Sequence, residues 1–177
     1  MDLKPGDIFC SANIAGKETF LSKGIIRVEK FWSLDNEATY GHSGVIVSDT
    51  GDTIEALWRI ECQNIFKDYA GSNIIIGRHK LMTPENFERG YKAILDHKGD
   101  WYPGWRLVFF LCMPPLAKYL HFTGMPVCSE YTGEFLNAAG CDDFKSYWGL
   151  NPDIIAERIK EWDDFDIVFE GCIETCK

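Results

Sequence analysis

The sequence lacks several features that would assign a protein to a class at once. Its most apolar stretch, residues 107–113, ends at Pro114 and Pro115, far short of the roughly 20 residues that cross a bilayer. No basic segment followed by an apolar one opens the chain, so we expect neither a signal peptide nor a transmembrane segment. Basic residues are few, since 18 Lys and Arg stand against 27 Asp and Glu and give a formal net charge of −9. A nucleic-acid partner requires a basic patch, so this charge argues against one.

The seven cysteines lack the spacing of a disulfide scaffold or a zinc site. Their number is odd, and no two of them are separated by just two residues, whereas zinc ribbons and small secreted domains have regularly paired cysteines. We interpret the nearest pair, Cys172 and Cys176, as two incidental thiols. Dispersed thiols fit a reducing compartment, and we therefore expect a cytoplasmic protein without a bound metal or organic cofactor.

What is present suits one compact domain. A chain of 177 residues with 46% hydrophobic residues can bury one core, so we predict a single domain over residues 1–177. Residues 42–47 and 53–57 flank a Ser-Asp-Thr-Gly-Asp turn and form the clearest β-hairpin. The other patterns predict an α+β fold with strands over residues 8–12, 60–66, 73–78 and 166–169 and helices within 16–34 and over 83–97, 128–139 and 152–162.

Cys128 lies at a position where a thiol has chemical consequences. It follows Pro126-Val127 and opens an amphipathic pattern in which Val127, Tyr131, Phe135 and Ala139 recur every four residues. The spacing predicts a helix that begins at Cys128 and packs this apolar stripe inward. Backbone N–H groups at the start of a helix favour an anion, so the thiolate of Cys128 is a candidate nucleophile. Most free cysteines, however, are inert residues of a core.

His42 is the histidine best placed to serve as a base for that thiol. It opens a strand that is otherwise small or aliphatic, where an imidazole at the rim of a sheet can reach a cleft. His97 ends a polar helix and is explained by its position near the helix carbonyls. His79 follows a strand, and we expect it to be exposed, while His121 lies in an aromatic stretch as a packed or surface residue.

The turn geometry relates Glu55 to His42. If the tight turn is Asp49-Thr50, Ser48 pairs with Gly51 and Glu55 lies opposite Gly44. Glu55 is then on the same face as His42 and about 7 Å from it. A slip of one residue would move Glu55 to the other face, where it would be an ordinary solvent-facing strand residue.

The segments Gly-His-Ser-Gly-Val-Ile-Val (41–47), Thr-Ile-Glu-Ala (53–56) and Val-Cys-Ser-Glu-Tyr (127–131), in this order, resemble the permuted NlpC-type, papain-like cysteine hydrolases and in particular their YiiX-like branch. In that branch the histidine strand precedes the cysteine helix, as it does here. The turn and strand at 4–9 and the segment 151–155 resemble the branch as well, whereas the aromatic stretch Trp101 to Phe122 has no counterpart in the family pattern.

The resemblance implies a papain-like α+β fold, with an antiparallel sheet or partial barrel packed on helices and the cysteine at a helix N-terminus. It also implies a catalytic set of Cys128 as nucleophile, His42 as base and Glu55 as the residue that orients the imidazole. The implied activity is hydrolysis of an amide in a peptide or cell-wall-type peptide through an acyl-enzyme. One alternative is a lipid acyl hydrolase or acyltransferase with acyl substrates, for which residues 105–111 could line a groove. The other is a non-catalytic binding module with a buried core thiol at position 128.

Overall fold

The computed structural model describes residues 1–12, 39–56, 59–97, 127–141, 144–145, 147 and 149–174. The helix predicted within 16–34 and the aromatic stretch from 101 to 122 lie outside these ranges. Within them, no helix is both long enough and apolar enough to cross a membrane.

Six strands form one antiparallel sheet in the order β4-β3-β2-β1-β5-β6. The strands are β1 (Ile8–Ser11), β2 (His42–Ile46), β3 (Asp52–Ala56), β4 (Ile60–Asn64), β5 (Asn73–His79) and β6 (Phe165–Cys172). Strand β1 lies between β2 and β5, so the N-terminal strand is at the centre of the sheet. The antiparallel sheet and its helices confirm the α+β class predicted from the sequence.

In the described part of the chain, four helices accompany the sheet: α1 (Ile65–Asp68), α2 (Pro84–Leu95), α3 (Cys128–Ala139) and α4 (Pro152–Glu161). Helices α2 and α4 begin in the same way, with a proline in the first turn after a residue whose side chain accepts a backbone N–H. These caps are Thr83 and Asn151, which the sequence pattern offers for this purpose. The strand predicted over 60–66 is shorter than expected, because Asn64 caps α1 and ends β4.

The sheet separates two apolar layers. One face packs against α3 and α4 through a cluster that includes Ile8, Val45, Ile54 and Phe135. The opposite face carries a smaller cluster of buried residues: Leu3, Phe9, Ile46, Ile65, Tyr69, Ile74, Ile76 and Ile173. Successive residues of a strand point to opposite faces, so neighbours such as Ile8 and Phe9 belong to different clusters.

Candidate active site

The β2–β3 hairpin brings His42 and Glu55 into direct contact. Val45 pairs with Ile54 and Ile46 with Thr53, which is the register that places Glu55 opposite Gly44. The two side chains meet where the hairpin opens, with 2.7 Å between His42 Nε2 and Glu55 Oε2. Both residues are buried, with 1% of His42 and 0% of Glu55 exposed, so water does not screen this pair.

The Glu55 carboxylate has two further donors. The Thr53 hydroxyl donates to Oε1 at 2.5 Å, and the Tyr69 hydroxyl donates to Oε2. Thr53 precedes Glu55 by two residues on the same face of β3, whereas Tyr69 directly follows α1. Thr53 could have been identified from the sequence, because side chains two residues apart in a strand lie on the same face. No sequence pattern connects Tyr69 to Glu55.

Aromatic rings confine the imidazole. The Tyr69 ring lies nearly parallel to that of His42, at an interplanar angle of 9° and 6.3 Å between centroids. Phe9 approaches His42 edge-on, with 6.2 Å between ring centroids. Gly44 leaves the room for this arrangement, since a Cβ there would lie 2.7 Å from Phe9 Cε1 and 3.0 Å from Glu55 Cβ. The rings and the carboxylate together fix the orientation of His42.

Cys128 is the first residue of α3 and is 8% exposed. The preceding Val127 has an extended backbone, and the Glu130 carboxylate accepts a hydrogen bond from its N–H at 3.1 Å. In the first turn of an α-helix the N–H groups have no acceptor within the helix. The N–H groups of Cys128 and Ser129 therefore have no acceptor within α3 itself.

Two polar contacts attach the start of α3 to the segment that leads into α4. Glu130 Oε1 accepts the N–H of Gly149 at 3.1 Å, and the Ser129 hydroxyl donates to the Leu150 carbonyl at 2.5 Å. Glu130 is 1% exposed, so its carboxylate is an internal cap rather than a surface charge. These contacts hold the backbone on both sides of Cys128.

The thiol and the imidazole approach each other at the end of strand β2. Ser43 faces α3, because its hydroxyl lies 3.2 Å from that of Thr132, and the alternation along β2 puts His42 on the opposite face beside Phe9. His42 is the first residue of the strand, so its ring reaches Cys128 beyond the strand end. Its Nε2 is engaged by Glu55, which leaves Nδ1 for the sulfur.

The protonation of His42 reflects these neighbours. Burial of the ring lowers the pKa of His42, but the charge of Cys128 and the hydrogen bonds with Cys128 and Glu55 outweigh burial and raise it to about 10. The protonated imidazole is thus favoured well above the pH at which histidine ordinarily loses its proton. Such a shift beside a cysteine and a carboxylate is typical of functional sites.

The other described histidines lie elsewhere. His79 is 2% exposed and packs against Phe165 with 4.8 Å between ring centroids, so the expectation that it is exposed was wrong. The β5–β6 pairing covers it, and a sequence pattern does not reveal such a pairing. His97 lies 3.4 Å from the Glu134 carboxylate, and His121 falls outside the described ranges. His42 is the described histidine that hydrogen-bonds Cys128.

Comparison with known proteins identifies the fold. No model of a known protein family matches the sequence, and no curated protein matches it. Among solved structures, the chain is similar to the crystal structure of the metalloprotein YiiX from Escherichia coli O157:H7. The TM-score is 0.60 over 96% of this chain and 98% of that chain, at 12% sequence identity.

The fold is YiiX-like. The sequence resemblance to the YiiX-like branch is thereby confirmed at the level of the fold, although only 12% of residues are identical. A likeness at this identity concerns the backbone arrangement alone, and the chemistry of this chain depends on its own side chains.

Proposed function

We propose that the chain is a cysteine hydrolase of the permuted papain-like type that cleaves an amide bond. Cys128 is the nucleophile, His42 is the base, and Glu55 orients the imidazole. The observation that carries the proposal is the buried 2.7 Å contact between His42 and Glu55, made by an imidazole that also adjoins a thiol at the first residue of a helix. A nucleophile, a base and a group that orients the base are the parts that covalent catalysis requires.

The reaction proceeds in two steps. The Cys128 thiolate attacks the carbonyl carbon, a C–S bond forms, and the electron pair moves to the carbonyl oxygen. When the tetrahedral intermediate collapses, the C–N bond breaks and the His42 imidazolium gives its proton to the leaving amine. Water then attacks the thioester carbon and His42 takes a proton from it. The C–S bond breaks, the carboxylic acid leaves, and the Cys128 thiolate is restored beside the His42 imidazolium.

The start of α3 supplies stabilisation for the oxyanion. Backbone N–H groups at Cys128 and Ser129 lie next to the nucleophile, and the positive end of the helix dipole favours the negative charge that develops there. The buried Glu130 contacts keep this turn in place. Preorganised donors of this kind need no rearrangement during the reaction, which is the source of their catalytic effect.

The similar protein YiiX is described as a metalloprotein, and that description applies to YiiX. In this chain no group of three or more His, Cys, Asp or Glu among the described residues is arranged to hold a metal ion. His42 Nε2 is already engaged by Glu55 at 2.7 Å, a hydrogen-bonding contact between two potential ligands. The described residues therefore do not fit a metal site, and the proposed mechanism uses the thiol directly.

The first test is the pH dependence of alkylation by iodoacetamide, read at each cysteine by peptide mass mapping. Mapping is needed because Cys62 and Cys172 are exposed and will also react. In the native chain Cys128 should be labelled well below pH 8, and His42→Ala should abolish this low-pH reactivity. If Cys128 reacts only after unfolding, it is a core thiol, and the non-catalytic module is the better interpretation.

The second test is the choice of substrate. N-acyl peptide amides and short acyl esters are offered to the wild-type chain and to Cys128→Ser, and intact mass is followed for an acyl adduct on Cys128. Turnover of amides that Cys128→Ser lacks supports the proposal. Activity confined to the acyl esters would favour the lipid acyl hydrolase instead, and equal turnover by both proteins would refute a thiol mechanism.

A further inference from the structure

The Glu55 carboxylate receives more hydrogen bonds than the proposed mechanism uses. The mechanism needs only the contact with His42, yet hydroxyl groups of Thr53 and Tyr69 also donate to it. All three donors come from different parts of the fold: Thr53 lies in β3, Tyr69 follows α1, and His42 begins β2. Thr53, Glu55 and Tyr69 are each 0% exposed, so none of these contacts exchanges with water.

We propose that Thr53 and Tyr69 are positioning residues which, through Glu55, keep His42 in the protonated form that the thiolate requires. The inference rests on the proposed function, since it concerns the same three side chains. It assigns Thr53 and Tyr69 a role that they exert through the Glu55 carboxylate, to which both hydroxyl groups donate.

The physical argument concerns where the proton between Glu55 and His42 resides. In a buried pair without other partners, the proton can move to the carboxylate and leave two neutral groups, because burial penalises both charges. Hydroxyl groups that donate to a carboxylate stabilise its charged form. With Thr53 on Oε1 and Tyr69 on Oε2, the proton is favoured on the imidazole.

Tyr69 also acts on the geometry of the ring. Its own ring lies 9° from parallel to that of His42, and Phe9 packs edge-on against both rings, with 5.1 Å between its centroid and that of Tyr69. The described groups that face His42 and can carry charge are Glu55 from β3, Cys128 from α3 and the Tyr69 phenol. Of these groups, Cys128 and Glu55 raise the pKa of His42 against the opposing effect of burial.

The test compares two removals of a buried tyrosine hydroxyl. Tyr69→Phe deletes the donor to Glu55, while Tyr131→Phe deletes a hydroxyl that donates to the Ile94 carbonyl at 2.9 Å and serves as the matched control. The readout is the rate of iodoacetamide labelling at Cys128 between pH 5 and 9. We expect Tyr69→Phe to lower the rate at pH 6.5 by about tenfold, equivalent to roughly one pKa unit, and to move the profile to higher pH. Tyr131→Phe should keep the wild-type profile.

A second pair of variants covers the possibility that Tyr69→Phe does not fold. Thr53→Val removes the donor to Oε1 with little change of shape, and Thr53→Ser retains it. Thr53→Val should move the labelling profile in the same direction as Tyr69→Phe, and Thr53→Ser should restore it.

Three results would each overturn this inference or the hydrolase proposal. A native chain whose Cys128 labelling depends on His42, combined with unchanged profiles in folded Tyr69→Phe or Thr53→Val, overturns this inference and leaves the hydrolase proposal intact. A native chain whose labelling does not depend on His42 at all overturns the hydrolase proposal itself. An equal shift in Tyr131→Phe also overturns the inference, since it would show a general effect of losing a buried hydroxyl.

Discussion

Replacing Glu55 by Gln separates the charge of the buried carboxylate from its shape. The glutamine side chain keeps the volume and one carbonyl oxygen, but it has an amide NH₂ in place of the second oxygen. In the native chain the two oxygens accept bonds from Thr53, Tyr69 and His42. Glu55→Gln therefore retains an acceptor for some of these donors and removes the negative charge that stabilises the imidazolium.

The size of the effect follows from the number of bonds. A hydrogen bond to a charged group contributes about 1.5–3 kcal/mol, and a neutral one about 1 kcal/mol. All three bonds lose their charged acceptor, and at least one of them persists as a neutral bond, so we expect the free energy of unfolding to fall by about 2–4 kcal/mol. Domains are typically stable by about 5–15 kcal/mol, so the variant should still fold. The lost stabilisation of the imidazolium corresponds to about 10- to 100-fold slower labelling of Cys128 at pH 6.5.

Two measurements check this prediction. Urea unfolding followed by fluorescence gives the free energy of unfolding, and iodoacetamide labelling with peptide mapping gives the reactivity of Cys128. Glu88→Gln is the matched control, because Glu88 is exposed on α2 and undergoes the same chemical change. Its effect on stability should stay within about 0.5 kcal/mol, and its labelling profile should equal that of the native chain.

One result would refute the reasoning. If folded Glu55→Gln labels at Cys128 within twofold of the native rate at pH 6.5, the carboxylate does not control the protonation of His42. A stability loss no larger than that of Glu88→Gln would also mean that the three hydrogen bonds contribute nothing measurable to the free energy of unfolding, which contradicts the value expected for buried bonds to a charged group.

Three further predictions concern the same site. Cys128→Ser should abolish amide hydrolysis while keeping the melting temperature within a few degrees, and retained turnover would exclude the thiol as nucleophile. Gly44→Ala should destabilise by about 1–3 kcal/mol, because the new Cβ would lie 2.7 Å from Phe9 Cε1; chemical denaturation measures this, and an unchanged midpoint would contradict the close packing. The raised pKa of His42, about 10, stabilises the folded state fully below about pH 6.5, and this contribution is lost as the pH rises through 10. The stability difference between the native chain and His42→Gln should accordingly shrink from pH 6.5 to 10, and a difference that grows over this range would reverse the sign of the argument.

Local sequence patterns predicted those parts of the fold that depend on interactions between residues close together in the chain. The helix beginning at Cys128 follows from the spacing of its apolar residues, and its end follows from Gly140, which adopts φ 95° as a left-handed C-cap. Thr83 and Asn151 mark the starts of α2 and α4 because each can cap a helix that opens with proline. The strand predicted from residue 60 was too long. Asn64 caps helix α1 and thereby ends the strand, and the sequence pattern did not reveal this short helix.

The sequence by itself determined the parts of the site that lie within one hairpin or one helix. The tight turn fixes which residues of β2 and β3 lie opposite each other. Because side chains alternate between the two faces of the sheet, Glu55 then lies on the same face as His42. Only the tertiary structure decided which distant groups complete the arrangement: the approach of Cys128 beyond the end of β2, the Tyr69 hydroxyl on Glu55, and the Phe9 ring against the imidazole. The reason is physical, since hydrogen-bond and steric rules act over a few residues along the chain, whereas contacts between separate elements depend on how the whole core packs.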